Sequence, residues 1–384
     1  MTTMSKQPQQ VRDLIDALVS IDSVNPELVP GGAGEAKIAA YIAEWLQKAG
    51  ASVELDEPRP GRVSVIARVP GTGGGRSLLL NGHIDTVGVT GMKNAHRPRV
   101  EGDKLFGRGS YDMKSGVAAA MLTLASAVHL RLRGDVILTA VCDEEHASIG
   151  TESALKRVSA DVAIVTEPTA LDIVVAHKGF AWFTVETSGV SAHGSRPDLG
   201  VDAILAMGKV LNSLDRLTQI LAQGPRHPLL GSASIHASLI SGGQELSSYP
   251  EHCKLSVERR TIPGESLSKV QDEIKSILDQ ESKLNPRFKG TFMTGLVREP
   301  LEVPETEPIV TTLRKTVAIH LKRVPVLQGF SGWTDAALIA AAGIPTVIFG
   351  PGGAGAHAVE EWCNLGEVLT CHEVLLATAS TFCS

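Results

Sequence analysis

The spacing of apolar residues predicts helices and strands that alternate along much of the chain. Helical periodicity covers residues 11–21 and 35–49, and Gly50 stands where a helix would end. Apolar, β-branched runs predict strands, and an alanine-rich segment at residues 113–131 predicts a further helix. The predicted strands are residues 63–69, 77–85, 136–142, 162–166 and 346–349. This alternation indicates a layered α/β domain.

A glycine-rich segment at residues 70–75 joins the first two predicted strands. Its sequence, P-G-T-G-G-G, is short and is flanked by apolar runs on both sides. Such a segment is typical of a turn in a β-hairpin. We therefore expect these two strands to pair with each other.

The middle of the chain has a different order of elements. A strand is followed by a helix, two strands and a second helix, which together indicate a self-contained α+β insert. These elements are predicted at residues 180–187, 201–221, 234–240, 254–260 and 266–282. We predict an inserted domain at residues 177–295, within a discontinuous domain formed by residues 1–176 and 296–384.

Composition narrows the possible partners and the location. A chain of 384 residues is too long for one core of usual size. Its net charge is −6, with lysines and arginines scattered, so we expect neither nucleic acid nor a membrane as partner. No segment resembles a signal peptide, and the five cysteines lack C-x-x-C spacing, which is typical of a cytoplasmic protein with reduced thiols.

Five candidate metal ligands stand in short segments marked by glycine or proline. Two histidines and three carboxylates are donors that zinc accepts. The segments are L-N-G-H-I-D-T-V, G-R-G-S-Y-D-M-K-S-G, C-D-E-E-H, T-E-P-T and G-A-H-A-V-E-E-W, and the candidate ligands within them are His83, Asp112, Glu145, Glu167 and His357. All five lie outside the predicted insert.

Neighbouring residues suggest roles around these ligands. Side chains two apart on a strand share a face, so Asp85 is expected to hold the second imidazole nitrogen of His83. Asp112 and Asp335 each precede a predicted helix, where aspartate is commonly an N-cap. Adjacent residues on an extended chain face apart, so Glu144 and Glu145 are expected to play different roles.

Taken in order, the five segments resemble the zinc-dependent M20 family of metallopeptidases, which includes acetylornithine deacetylase, succinyl-diaminopimelate desuccinylase and glutamate carboxypeptidase. The resemblance covers the chain from about Val11 to its final helix. It implies two metal ions, zinc or alternatively cobalt or manganese, that share Asp112 as a bridging ligand. It assigns His83 and Glu167 to one metal, and Glu145 and His357 to the other.

The resemblance also implies a mechanism. A hydroxide that bridges the metals would be the nucleophile, and it would balance the charge left by three carboxylates and two divalent cations. Glu144 would be the general base and then the general acid, with Asp85 supporting His83.

The same resemblance makes the insert a lid that forms a homodimer. His193, in S-A-H-G-S-R-P, would stabilise the oxyanion in the neighbouring subunit's site, and Arg260 would bind a substrate carboxylate. Ser247 stands where many relatives have asparagine, so substrate binding here is expected to differ from theirs. Trp333 is a further candidate for substrate contact, although a packed core tryptophan explains it as well.

Three functions are compatible with these residues. The first is a metal-dependent amidohydrolase that cleaves a small-molecule substrate, an N-acyl amino acid or a related N-acyl amine. The second is a carboxypeptidase or dipeptidase that uses the same catalytic residues. The third is an inactive metal-binding scaffold. The presence of Glu144 beside all five ligands argues against this third function.

Overall fold

The computed structural model of the protein describes residues 7–384. The helices are α1 Gln7–Ser20, α2 Ala36–Lys48, α3 Ser115–Ala127, α4 Ile149–Ala154, α5 Ala203–Gln223, α6 Leu267–Leu284, α7 Pro308–Leu321, α8 Ala336–Ala341 and α9 Leu365–Phe382. The strands are β1 Ser52–Arg59, β2 Arg62–Val69, β3 Leu78–His83, β4 Arg99–Glu101, β5 Lys104–Phe106, β6 Val136–Val141, β7 Val162–Val165, β8 Ile173–His177, β9 Gly179–Ser188, β10 Arg226–His227, β11 Gly231–Ser232, β12 Ser234–Gly242, β13 His252–Thr261, β14 Lys289–Arg298, β15 Leu301–Glu302, β16 Leu327–Phe330, β17 Thr346–Ile348, β18 Gly353–Ala354 and β19 Trp362–Asn364.

The described chain divides into two compact units. The first contains the chain up to Val175 together with Val303–Gln328 and Thr334–Ser384, and the second contains Ala176–Glu302 and Gly329–Trp333. The predicted insert, residues 177–295, ends too early. Strand β14 pairs with β9 as far as Arg298, and the indole N–H of Trp333 donates to the carbonyl of Glu299 at 3.1 Å. These contacts join Arg298, Glu299 and Trp333 to the second unit.

A mixed sheet with the order β1-β2-β6-β3-β7-β17-β8 forms the centre of the first unit. Strands β3, β6 and β7 are parallel neighbours and are buried along their whole length. Burial on both faces explains why their sequences are almost continuously apolar. Helix α3 packs against β3 and β6, and α9 packs against α3. The predicted α/β class is confirmed.

The predicted hairpin at residues 70–75 is wrong, because β6 lies between the two strands that it was expected to join. Strand β2 pairs with β1 and β6, whereas β3 pairs with β6 and β7. The glycine-rich segment instead runs along the chain that enters β6, where Gly73 N–H donates to the carbonyl of Arg133 at 2.9 Å. A side chain at Gly71 or Gly75 would collide with the Arg133–Gly134 backbone, which accounts for glycine at these two positions.

The helices differ slightly from their predicted bounds. Helix α2 is followed by Gly50 at a φ of +97°, as expected for a glycine at a helix C-terminus. Helix α3 begins only at Ser115, because Ser110–Lys114 forms a separate tight turn in which Asp112 has non-helical dihedral angles. Among residues 7–384, none of the helices has the length and apolar character needed to cross a bilayer.

The second unit is an antiparallel sheet with the order β12-β13-β9-β14, with α5 and α6 packed against the sheet core. That core includes Phe183, Val257, Met207 and Ile274. Arg259 is fully buried beside it and is neutralised by Glu265 at 2.7 Å and Glu273 at 2.9 Å. Strand β12 is an edge strand of this sheet.

A buried histidine on α9 makes the stability of the protein sensitive to acid. Thr123 donates its hydroxyl to the Ala119 carbonyl at 2.8 Å, so it can accept from Nδ1 of His372 at 3.1 Å. Burial lowers the pKa of His372 from 6.5 to about 4. Between these two values the unfolded chain binds a proton that the folded protein does not, so His372 lowers stability as pH falls.

We expect this histidine to cost roughly 3 kcal/mol of unfolding free energy between pH 6.5 and pH 4. His372→Leu should remove that part of the pH dependence. The measurement is urea unfolding of both proteins across this range, where other titrating groups cancel in the difference. Parallel pH profiles for wild type and variant would contradict the prediction.

Candidate active site

The five predicted ligands come together in the first unit. His83 is the last residue of β3, while Glu145 and Glu167 follow the adjacent parallel strands β6 and β7. The carboxyl ends of these strands meet at one edge of the sheet, where sites in α/β proteins usually form. Asp112 reaches the same place from the turn before α3, and His357 from the loop between β18 and β19.

Asp112 lies between the two histidines. Its Oδ1 is 3.0 Å from Nε2 of His83, and its Oδ2 is 3.4 Å from Nε2 of His357. Glu145 is 3.0 Å from His357, and Glu167 is 3.6 Å from His83. The two oxygens of Asp112 therefore face two different histidine–carboxylate pairs.

Donor atoms converge closely enough to hold metal ions. Ligand atoms of His83, Glu144 and Glu167 lie within 4.8 Å of one another, as do those of His83, Asp112 and Glu145. Glu144 is thus close enough to be a ligand itself, with its Oε2 4.0 Å from Nε2 of His83. His357 is outside both groups, although it contacts Glu145 and Asp112.

The charges of this cluster are poorly balanced by the protein alone. Burial, together with the nearby charge of Asp112, raises the pKa of Glu167 to about 8. Burial also raises the pKa of Glu144 well above its ordinary value. Within residues 7–384, Oε1 of Glu145 is buried without a hydrogen-bond partner. Imidazole and carboxylate donors, with one carboxylate oxygen unsatisfied, fit divalent cations of the zinc type.

Asp85 contacts His83 as predicted, but through its main-chain carbonyl and not through its carboxylate. Strand β3 ends at His83, and Nδ1 of His83 lies 3.0 Å from the main-chain carbonyl of Asp85 but 3.6 Å from its carboxylate. The carboxylate instead accepts from the backbone N–H groups of Glu144 at 3.1 Å and Glu145 at 3.2 Å. Asp85 therefore positions the glutamate pair as well as the histidine.

A buried hydrogen-bond network holds Asp85 and Asp143, the residues next to this glutamate pair. The amide of Asn25 donates to the carboxylates of both Asp85, at 2.8 Å, and Asp143, at 3.0 Å. Asp143 has a φ of +68° and also accepts from Arg62 at 2.8 Å. Arg62 in turn donates to both oxygens of Glu35. Sequence reasoning missed Asn25, Arg62 and Glu35, since each lies far along the chain from the segment that it supports.

Glu361 holds the turn that carries Asp112. Its carboxylate accepts from the backbone N–H groups of Gly109, Tyr111 and Asp112 at 2.9–3.0 Å, and from buried Arg108 at 2.7 Å. Asp112 is therefore not the capping residue that its sequence context suggested. Glu361 belongs to the E-E-W part of the last ligand segment, but nothing in the sequence indicated that Glu361 and not Glu360 has this role.

Asp335 is likewise not a side-chain N-cap. It makes no capping hydrogen bond to α8; its buried carboxylate accepts from the hydroxyl of Thr151 at 2.6 Å. Burial raises its pKa to about 6.

His193, Ser247, Arg260 and Trp333 belong to the second unit. His193 and Ser247 are exposed and lie on adjacent segments, with Gly194 N–H donating to the Ser247 carbonyl at 2.7 Å. Nδ1 of His193 is 2.8 Å from the hydroxyl of Ser195. Arg260 donates to Glu258, and its guanidinium lies 5.3 Å from the ring centroid of Phe180. Trp333 packs edge-on against the same ring.

Residues 79–381 match peptidase family M20/M25/M40. The chain belongs to this family. The resemblance inferred from the five segments is thus confirmed, and the protein is a metal-dependent amide hydrolase.

Two bacterial enzymes are similar to this chain over most of its length. The N-formyl-4-amino-5-aminomethyl-2-methylpyrimidine deformylase of Halalkalibacterium halodurans is 28% identical over 419 aligned residues, covering 99% of this chain and 96% of that protein. The acetylornithine deacetylase of Myxococcus xanthus is 29% identical over 360, covering 89% and 91%.

Solved structures share the fold at lower identity. The aminopeptidase PepT of Bacillus cereus has a TM-score of 0.79 at 18% identity, covering 98% of this chain and 99% of that one. The YxeP protein of Bacillus subtilis, described as a dinuclear metal binding peptidase, has a TM-score of 0.76 at 15% identity, with 99% of both chains covered.

We expect Asn25→Asp to damage both stability and metal binding, because it replaces the shared donor with a third carboxylate. The unfolding free energy should fall by about 3 kcal/mol. Metal affinity should fall about tenfold or more, since Asp85 would no longer be held for Glu144 and Glu145. Urea unfolding and competition with a chelating dye measure the two effects.

Asn285→Asp provides the matched control. The side chain of Asn285 acts as an acceptor, from Arg287 N–H at 3.0 Å, and aspartate can do the same. Equal effects of the two substitutions would contradict a special role for the Asn25 donor.

Proposed function

We propose that this enzyme is a deacylase that hydrolyses the amide bond of an N-acyl amino acid or a related small N-acyl amine with two zinc ions. The relatives that cover most of this chain include deacetylases and deformylases, which supports an acyl group as the part removed. Peptidases are prominent among the solved structures, but their identity to this chain is below 25%, so they support the fold alone.

The observation that carries the proposal is the placement of Asp112 between His83 and His357. One carboxylate with each oxygen directed at a different histidine is suited to bridge two cations. His83 and Glu167 would complete one position, and Glu145 and His357 the other. When bound, the two ions would polarise the substrate carbonyl and make water acidic enough to attack at neutral pH.

Glu144 is the residue proposed to move the proton. Its carboxylate stands beside the ligands, and its backbone N–H is anchored by Asp85 at 3.1 Å. In the ionised form it would accept a proton from the attacking water, and in the protonated form it would deliver that proton to the leaving nitrogen. Cleavage then releases a carboxylic acid and a free amine.

Residues of the second unit are proposed to bind the rest of the transition state. Arg260 would pair with a substrate carboxylate, and exposed His193 would donate to the developing oxyanion. Ser247 lies on the segment beside His193 and would offer its hydroxyl to the substrate.

We further propose a cytoplasmic homodimer formed through the second unit. Edge strand β12 exposes Leu239 and Ile240, and α5 exposes Leu205. An exposed apolar edge strand is suited to pair with another copy of itself. The five cysteines are buried and free, which supports a reducing compartment.

Glu144→Gln and Glu145→Gln should separate chemistry from metal binding. We expect Glu144→Gln to keep both metals and to lower kcat by about a thousandfold, because the proton carrier is lost. Glu145→Gln should lower metal content as well. Metal analysis and hydrolysis of N-acetyl, N-formyl and N-succinyl amino acids, acyl-glutamates and dipeptides measure this. Preference for dipeptides or acyl-glutamates would favour a peptidase, and no hydrolysis with metal bound would argue against the proposal.

Mixing two inactive variants tests whether His193 acts across the dimer. If it does, His193→Ala mixed with Glu144→Ala should recover about a quarter of wild-type activity, since half of the dimers are mixed and each has one intact site. No recovery after proven subunit exchange would place His193 in its own subunit's site.

Leu239→Lys should give monomers in sedimentation, whereas Met293→Lys, on the opposite edge strand, should not.

A further inference from the structure

We propose that a cleft lined by Glu361, the residue that holds the turn carrying Asp112, binds the anionic end of the acyl group that this enzyme removes. The cleft has a volume of about 430 Å³, within the usual range for small-ligand sites. Its lining includes Met92, Lys93, Arg97, Phe106, Val359 and Glu360. This inference rests on the proposed deacylase function and specifies the class of acyl group.

The cleft is built from the segment that carries the last ligand. Val359, Glu360 and Glu361 line it and lie two to four residues after His357 in the chain. Glu361 also accepts from the backbone N–H of Asp112 at 3.0 Å. Because Glu361 borders both the cleft and the turn that carries Asp112, we place the far end of the acyl chain in this cleft.

Two cations in the cleft are available to a ligand. Lys93 and Arg97 are exposed, and neither forms an ion pair with any residue in the described range 7–384. Arg99, by contrast, pairs with Glu101, and Glu361 is neutralised by Arg108. Glu360 is the remaining carboxylate, so the two free cations and this one anion leave a charge of +1.

The rest of the lining is suited to an aliphatic chain. The ring of Phe106 forms one wall and is covered by the guanidinium of Arg99, 4.2 Å from its centroid. Met92 and Val359 add apolar surface. A lining that combines apolar surface with a few charged groups is typical of sites that orient a ligand by its charged group. The ligand predicted from this lining is a short methylene chain that ends in a carboxylate.

The test compares two substrates that differ only in this charge: N-glutaryl-alanine, and the same compound with the terminal carboxylate changed to a primary amide. For each protein we measure the ratio of the two kcat/KM values. Lys93→Gln/Arg97→Gln should lower the wild-type preference for the carboxylate by about tenfold, since exposed ion pairs are individually weak.

A control removes the same charge elsewhere. Arg12→Gln/Lys37→Gln neutralises two exposed cations on α1 and α2 that are outside the cleft, and it should leave the ratio unchanged. Glu360→Gln should move the ratio in the opposite direction, towards the carboxylate. An unchanged ratio in Lys93→Gln/Arg97→Gln, or an equal fall in the control, would overturn the inference and leave the deacylase proposal intact.

Direct binding separates failure of the inference from failure of the proposed function. If the wild type hydrolyses no N-acyl compound, the deacylase proposal fails, and calorimetry with glutarate then decides the cleft. Binding weakened about tenfold in Lys93→Gln/Arg97→Gln would support an anion site there. Equal affinities in the two proteins would show that glutarate binds elsewhere and would overturn the inference.

Discussion

Mutual repulsion among carboxylates at the carboxyl ends of β3, β6 and β7 is the constraint around which the first unit is built. These groups are Asp85, Asp112, Glu144, Glu145 and Glu167. Buried like charges are costly unless opposite charges and hydrogen bonds compensate for them. Asn25 and backbone N–H groups compensate the charge of Asp85. Within the described part of the chain, the carboxylates around Asp112 have no such donors and are suited to bind metal cations.

Each supporting contact fixes a backbone segment rather than a single side chain. Asp85 binds two consecutive N–H groups of the glutamate pair, and Glu361 binds three of the turn that carries Asp112. Arg108 neutralises Glu361, and Arg62 neutralises Asp143, which shares the Asn25 donor with Asp85. A ligand held through its backbone keeps its place when the charge nearby changes, which suits a site that binds and releases charged molecules.

The sequence predicts the local features of this site and misses the long-range ones. Each candidate ligand ends a strand, follows one or stands in a glycine-marked turn or loop, so its neighbours in the sequence were enough to identify it. Asn25 and Arg62 contact Asp143 from positions 118 and 81 residues earlier in the chain, and no local pattern indicates these contacts. The hairpin prediction failed for the same reason: P-G-T-G-G-G reads as a turn, but the strand β6 that separates β2 from β3 comes later in the chain. Asp85 shows a finer limit, since its strand ends two residues too early for the expected carboxylate contact.

The first unit includes a returning segment, Thr334–Ser384, that follows the whole of the second unit in the chain. His357 and Glu361 come from this returning segment, although Asp112, which they contact, lies far earlier in the chain. During synthesis at about 5–20 residues per second, the early ligands emerge many seconds before the last ones. The carboxylate cluster therefore emerges from the ribosome in an incomplete form, in which Asp112 lacks both His357 and the Glu361 carboxylate. Metal loading by the full ligand set is in this way deferred until the returning segment has been synthesised.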